Sequence, residues 1–254
     1  YGDPSTQEYI SFVGGPHTAS QGMDGKKISS TFEDSNKYDT DIYDDVGFSG
    51  PGSRESNLKT NFDNGVTVEF WLRKTAFDNS KTQKEVIFDL WNNETSSSPS
   101  YGRILLQLTG TSGNSPFRLS VQSGSVAMFE EVSLGSTLTT ASLETFGHYA
   151  FRIYNSSSRG YVDFYNNGQL VETQTNPLVS LGEVTGALHA NLGALTSPAL
   201  ISSTAFAGKG WGKLSGSLDE FRFWKTKRTS KEIGRNWFTQ VNGGTNNDVS
   251  NASL

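Results

Sequence analysis

Hydrophobic and polar residues alternate along most of this 254-residue chain. The clearest run is 66–73, where Val66, Val68, Phe70 and Leu72 fall on one face of an extended segment. Similar runs follow at 85–91, 103–109, 117–122, 149–154, 161–165, 170–174, 188–195 and 214–224, with a less regular one at 6–13. Clusters of Gly, Asn and Ser separate them. Many short alternating segments with turn signals between them predict an all-β sandwich or barrel. Asn166-Asn167-Gly168 lies between two of the runs, and an Asn-Gly pair supplies the positive φ angles of a tight turn, so 161–174 reads as a β-hairpin. One helix is predicted. Thr229-Ser230-Lys231-Glu232 has the spacing of a capping box, and Ile233, Trp237 and Phe238 continue as an apolar stripe to about Thr239.

No repeat and no break in composition calls for a second domain. The chain reads as a single sandwich over 1–241, its first 57 residues a less regular lead-in, followed by a polar tail or linker at 242–254. The first residue is Tyr1 with no leader pattern before it, which suits a processed or excised piece.

Composition sharpens this picture. Charged residues make up only 19% of the chain, and polarity is carried instead by 34 Ser, 24 Thr and 18 Asn. Thr favours strands while Asn and Ser favour turns, so a neutral polar exterior over sheets is the expected surface. A net charge of −5 argues against a nucleic-acid partner, which calls for a basic surface. No apolar run reaches the length that would insert into a membrane. Cysteine is absent, which removes disulfides, thiol catalysis and thiolate metal sites.

Two stretches resemble the laminin-G-like family, the concanavalin A-like jelly rolls that include pentraxin and laminin-G domains. The first runs from Phe146-Gly147-His148-Tyr149 through Tyr154 and on to the hairpin Val162 to Val171, with Gly147 standing where the family more often has an aromatic or polar residue. The second is Leu214 to Trp224, containing Asp219-Glu220-Phe221-Arg222-Phe223, followed by the capped helix. Val68-Glu69-Phe70-Trp71-Leu72 is similar to an early family strand. The matches span roughly 60–240 in order. The resemblance implies a two-sheet antiparallel β-sandwich, a jelly roll with one short C-terminal helix. The closing strand also shows a conflict of period, since Leu218, Phe221 and Phe223 all belong in a core. A β-bulge at Asp219-Glu220 resolves it.

Enzymes occur among such jelly rolls, and a glycoside hydrolase or polysaccharide lyase is one alternative. A glycosidase needs two facing carboxylates about 5–9 Å apart. Glu85 and Asp89 come nearest on one strand, with Ile87 between them on the same face, and the Glu-x-Asp-x-Glu signature is missing. The histidines are His17, His148 and His189, and no nucleophile elbow accompanies them. His148 reads as a packing and hydrogen-bonding residue. The chain is therefore read as non-catalytic.

Binding chemistry has better candidates. The resemblance implies calcium at the sandwich rim, and the acidic stretch 33–45 offers Asp34, Asn36, Asp39 and Asp41 as oxygen ligands. Carbohydrate recognition uses aromatic platforms beside amides and charges. Trp71, Trp224 and Trp237 lie on strands or the helix and read as core. Trp211, with Lys209 in a Gly-rich loop, and Trp91, beside Asn92 at a strand end, read as the ligand-facing pair of sites. The expectation is a carbohydrate- or surface-binding module, calcium-assisted, displayed outside a cell, on its surface or on a virion. Its partners would be a cell-surface glycan and neighbouring subunits of a larger assembly. The alternative from another class is a structural or decoration component that binds no glycan.

Overall fold

Alternation of side chains in the runs above lets each strand bury one face, and two such layers satisfy each other. The computed structural model describes residues 10–13, 31–34, 58, 60–77, 84–92, 94–95, 98–184, 188–195 and 212–239, and the structural statements below concern these. Six strands form a first antiparallel sheet, in the spatial order β1 (Ile10–Val13), β14 (Ser215–Trp224), β4 (Val66–Lys74), β9 (Gly147–Ser156), β10 (Arg159–Asn166) and β11 (Gln169–Asn176). Six more form the second, in the order β2 (Thr31–Asp34), β13 (Leu188–Leu192), β5 (Glu85–Trp91), β6 (Gly102–Leu108), β7 (Phe117–Ser123) and β8 (Val126–Leu134). A short pair, β3 (Thr60–Asn61) with β12 (Glu183–Val184), and a 3₁₀ turn at Thr140–Glu144 complete the β framework. The helix α1 (Ser230–Asn236) follows β14. The expected all-β sandwich with one short C-terminal helix is thus observed.

The core fills the space between the sheets. Phe70, Leu72, Tyr149, Phe151, Ile153 and Phe164 face Phe88, Leu90, Ile104, Leu106, Leu119 and Val121, all buried. Phe117 of the second sheet inserts among Tyr149, Phe151 and Phe164 of the first, with ring centroids 5.0, 5.2 and 5.3 Å away. Such offset aromatic contacts knit the layers beyond their area burial. Along one side, β11 reaches across to the second sheet. The Glu172 carboxylate accepts from the backbone amides of Gly135 and Ser136, and the Asn176 side-chain amide donates to the Met128 carbonyl.

The hairpin, capping box and bulge appear where the sequence predicts them. Asn167 and Gly168 take φ of +48° and +76° between paired Asn166 and Gln169. Thr229 and Glu232 exchange the two capping-box hydrogen bonds. The helix itself closes at Asn236, shorter than the run to Thr239 that the apolar stripe predicts. In β14 the register against β4 slips by one residue between Asp219 and Arg222, with Glu220 at φ +47°. That slip leaves Leu218, Phe221 and Phe223 packed on the core and turns Arg222 and Trp224 outward.

β8 was not anticipated. Its register against β7 shifts twice and Glu131 adopts φ +49°, so its burial loses the two-residue period that marks a strand in sequence.

Candidate functional site

The outward face of the second sheet brings together the groups of interest. Cross-strand register sets out its rows. One row runs His189, Trp91, Arg103 and Gln122, and the next runs Asn191, Asp89, Leu105 and Ser120. A third holds Val86, Gln107 and Arg118. A bulge between Val86 and Phe88 aligns these rows and has a chemical consequence. Glu85 falls opposite Leu108 and reaches the first sheet, accepting from the Ser215 amide at 2.7 Å and pairing with Lys74 at 3.2 Å. Asp89 faces outward instead. The two carboxylates that share a face by simple alternation stand on opposite faces.

Asp89 is fully buried and takes two hydrogen bonds from Arg103, at 2.8 and 2.5 Å, while Arg103 also donates to the Tyr101 hydroxyl at 3.2 Å. Burial would ease the proton off Arg103, but the adjacent Asp89 carboxylate outweighs it and raises the pKa further. A charge so neutralised holds the face together and is unavailable as a general acid. Around it lie buried amides and hydroxyls: Gln107, Gln122, Ser120 and Asn191. The Asn191 side-chain carbonyl makes no hydrogen bond.

Trp91 sits half-buried at the end of this face, its indole N–H donating to the Glu94 carbonyl at 2.8 Å. Asn92 is different from its sequence reading. It is 1% exposed, donates to the Ser100 carbonyl at 2.6 Å and accepts from the Gly102 amide at 2.9 Å. Its side chain closes the loop between β5 and β6 and positions Trp91, so it faces backbone where the sequence reading had it face a ligand.

Lys209 and Trp211 lie outside the described residues, but the residues bracketing their segment are informative. Leu195 packs on Val86 and Leu105 of the outward face. Gly212 accepts a 2.7 Å hydrogen bond from the Val86 amide. Leu195 and Gly212, the described residues on either side of 196–211, thus both stand at the Val86 end of the face that carries Trp91. Of the acidic stretch, Asp34 lies on β2 opposite Leu188, while Asn36, Asp39 and Asp41 lie outside the described residues. Among the described residues no group of three or more His, Asp or Glu side chains is placed to hold a metal ion.

None of the three tryptophans read as core lies between the sheets. Trp71 and Trp237 are half-buried on the outward face of the first sheet, 5.5 Å apart, and Trp224 is buried on that same face beneath Arg228. Trp71 leaves the core because Phe70 and Leu72 flank it in the strand and take the inward positions. Their neighbours Glu69, His148, Arg222 and Arg228 form a second buried polar cluster, which the sequence hid because its members come from three strands and a loop. His148 packs as expected, but neither of its ring nitrogens makes a hydrogen bond.

Similar folds are known. The native SAP-like pentraxin from Limulus polyphemus shares 14% identity over 70% of this chain and 71% of its own, with a TM-score of 0.42. The CBM40 of Ruminococcus gnavus IT-sialidase, bound to α2,6-sialyllactose, shares 11% over 82% and 95%, with a TM-score of 0.46. The receptor-binding domain of botulinum neurotoxin D shares 13% over 73% and 39%, with a TM-score of 0.43. No curated protein matches the sequence. A family model does, over residues 52–234, the span that holds β3 to β14, five of the six strands in each sheet. The chain belongs to the concanavalin A-like lectin/glucanases superfamily.

Proposed function

We propose that this protein is a non-catalytic carbohydrate-binding module that holds a glycan along the outward face of the second sheet, between its Trp91 and Val86 ends, and that it works outside the cell, on a cell surface or a virion. One observation carries the reading: a face lined by Arg103, Gln107, Gln122 and Asn191 has Trp91 at one end of β5 and, at the Val86 end, Leu195 and Gly212, the residues that bracket the segment bearing Lys209 and Trp211. Indole faces stack on the apolar side of a pyranose, while amides and guanidinium groups serve its hydroxyls. Membership in a superfamily of lectins and glucanases supports carbohydrate as the ligand class. Binding is favoured over cleavage because the buried carboxylates Glu69, Asp89 and Asp163 are each committed to an arginine, at 2.9, 2.5 and 2.5 Å, and Glu85 is turned to the opposite face. Hydrolysis needs two carboxylates free to face one bond. Calcium, held by Asp34, Asn36, Asp39 and Asp41, is proposed as an aid to binding.

The test is a glycan array followed by titration of any hit, with calcium and with a chelator. Trp91→Ala and Trp211→Ala should each weaken binding about tenfold, the loss of roughly 1.4 kcal/mol of stacking. Failure of the wild type to bind any glycan, or turnover of a polysaccharide panel, sinks the proposal. Unchanged affinity in chelator removes the calcium part alone.

A further inference from the structure

The outward face of the first sheet buries a set of charges that the glycan reading does not use. Glu69 on β4 is 0% exposed. Its Oε1 accepts from Arg228 at 2.9 Å, and its Oε2 lies 3.5 Å from His148 Nε2 and 3.9 Å from Arg222 Nη1. Glu69 therefore faces two permanent cations and an imidazole, and one of those cations, Arg222, is also paired with Glu220 Oε2 at 3.0 Å. Glu69 Oε2, both nitrogens of His148, Arg222 Nε and Trp224 Nε1 are buried without a hydrogen bond. Unmet polar groups in such numbers make this an insecure contact.

The same residues dock α1. Arg222 donates to the carbonyls of Asn236, at 3.4 Å, and Thr239 at the end of the helix. Arg228 precedes the N-cap and stands over the Trp224 ring, its cation 4.0 Å from the centroid. Trp237, which ends the helix, rests on Trp71, on His148 at 6.1 Å between centroids, and on the hairpin turn at Gly168. A seven-residue helix does not persist without such docking.

We propose that this cluster is an acid-sensitive latch, in which protonation of His148 undocks α1 from the first sheet while the sandwich remains folded. Glu69 and Glu220 already balance Arg228 and Arg222, so an imidazolium here would be the unmatched charge. The remaining charged groups facing it do not compensate. Glu232 on α1 is committed to Thr229, Asp163 on β10 to Arg152, and Asp219 on β14 stands opposite Trp71, where burial raises its own pKa. Asn167 binds only the backbone of His148. Burial, followed by the fields of Arg222 and Arg228, holds the imidazole below its ordinary range against the pull of Glu69. The sign follows. The docked state keeps His148 neutral, so docking is at full strength above the ordinary histidine pKa and weakens as pH falls through it. One linked proton weakens it by up to tenfold per pH unit. The inter-sheet core contains none of these charges, which is why the helix yields first.

Hydrogen exchange on the whole protein between about pH 8 and about pH 5 tests this, corrected for intrinsic rates. The Ile233 and Trp237 amides, which bond to Thr229 and Ile233 within α1, should lose protection at least tenfold while those of β9 and β10 keep theirs. Three of the five tryptophans line the cluster, so tryptophan fluorescence should shift over the same range. In His148→Asn both changes should vanish. Protection of α1 that survives to pH 5, or helix and strands released together, overturns the latch. Should His148→Asn not fold, the wild-type exchange pattern alone decides.

Discussion

Asp89 and Arg103 show what burial asks of a single charge. The pair sits on an outward face yet is 0% and 3% exposed, and each side chain is tolerated there because the other is present. Asp89→Ala would leave a buried guanidinium without its counter-charge. A loss of about 3–5 kcal/mol in urea unfolding is the expected result, whereas an ordinary surface carboxylate would cost under about 1 kcal/mol. The same scale explains why individual assignments from sequence divided as they did. Trp224 is buried, but under Arg228 on the outward face rather than between the sheets, and Trp71 alternates with Phe70 and Leu72 and so had to face outward once those two took the core. Asn92 stood beside a plausible ligand-facing tryptophan in sequence, and only its bonds to Ser100 and Gly102 reveal a loop-closing residue.

At the scale of elements, local chemistry and tertiary contact overlap in the β10–β11 hairpin. Gly168 is needed first by the turn, where φ is +76°. It is needed again by α1, because a Cβ there would come within 2.2 Å of the Trp237 ring. Gly168→Ala should therefore do more than strain a turn. We expect a melting temperature lowered by several degrees, from the roughly 1–2 kcal/mol of a left-handed L-residue, together with a changed near-UV signal from displaced Trp237. A turn-only effect would leave that signal intact. Elements with a strong local signature, such as the capping box and the Asn-Gly turn, were legible in sequence. β8 was not, because two register slips and a left-handed Glu131 scramble its alternation, and its pairing with β7 is what makes it a strand.

For the whole molecule, the concentration of aromatic rings between the sheets carries a consequence at high pH. Burial pushes the Tyr149 hydroxyl well above the ordinary tyrosine range, and burial also raises Tyr154 and Tyr165. An unfolded tyrosine ionises near pH 10 while the folded one keeps its proton. Stability from this source is intact below about pH 10 and falls as pH rises beyond it. The melting temperature should decline steeply above that point, and Tyr149→Phe should flatten the decline; an equal slope in the variant would show that other groups control alkaline unfolding. The acid-sensitive charges beneath α1 lie on the outward face of the same sheet whose inward face carries Tyr149.

Sequence by itself determined the class of fold, the two-residue period of most strands, the hairpin, the helix cap and the bulge in β14. These depend on neighbours within a few positions, where side-chain chemistry acts directly on the backbone. Tertiary structure alone decided which outward-facing residues share a surface, that Glu85 and Asp89 part company, and that Glu69, His148, Arg222 and Arg228 meet beneath a helix. Those outcomes depend on strand order and on one-residue slips of register, which bring together positions up to 159 residues apart and leave no periodic trace along the chain.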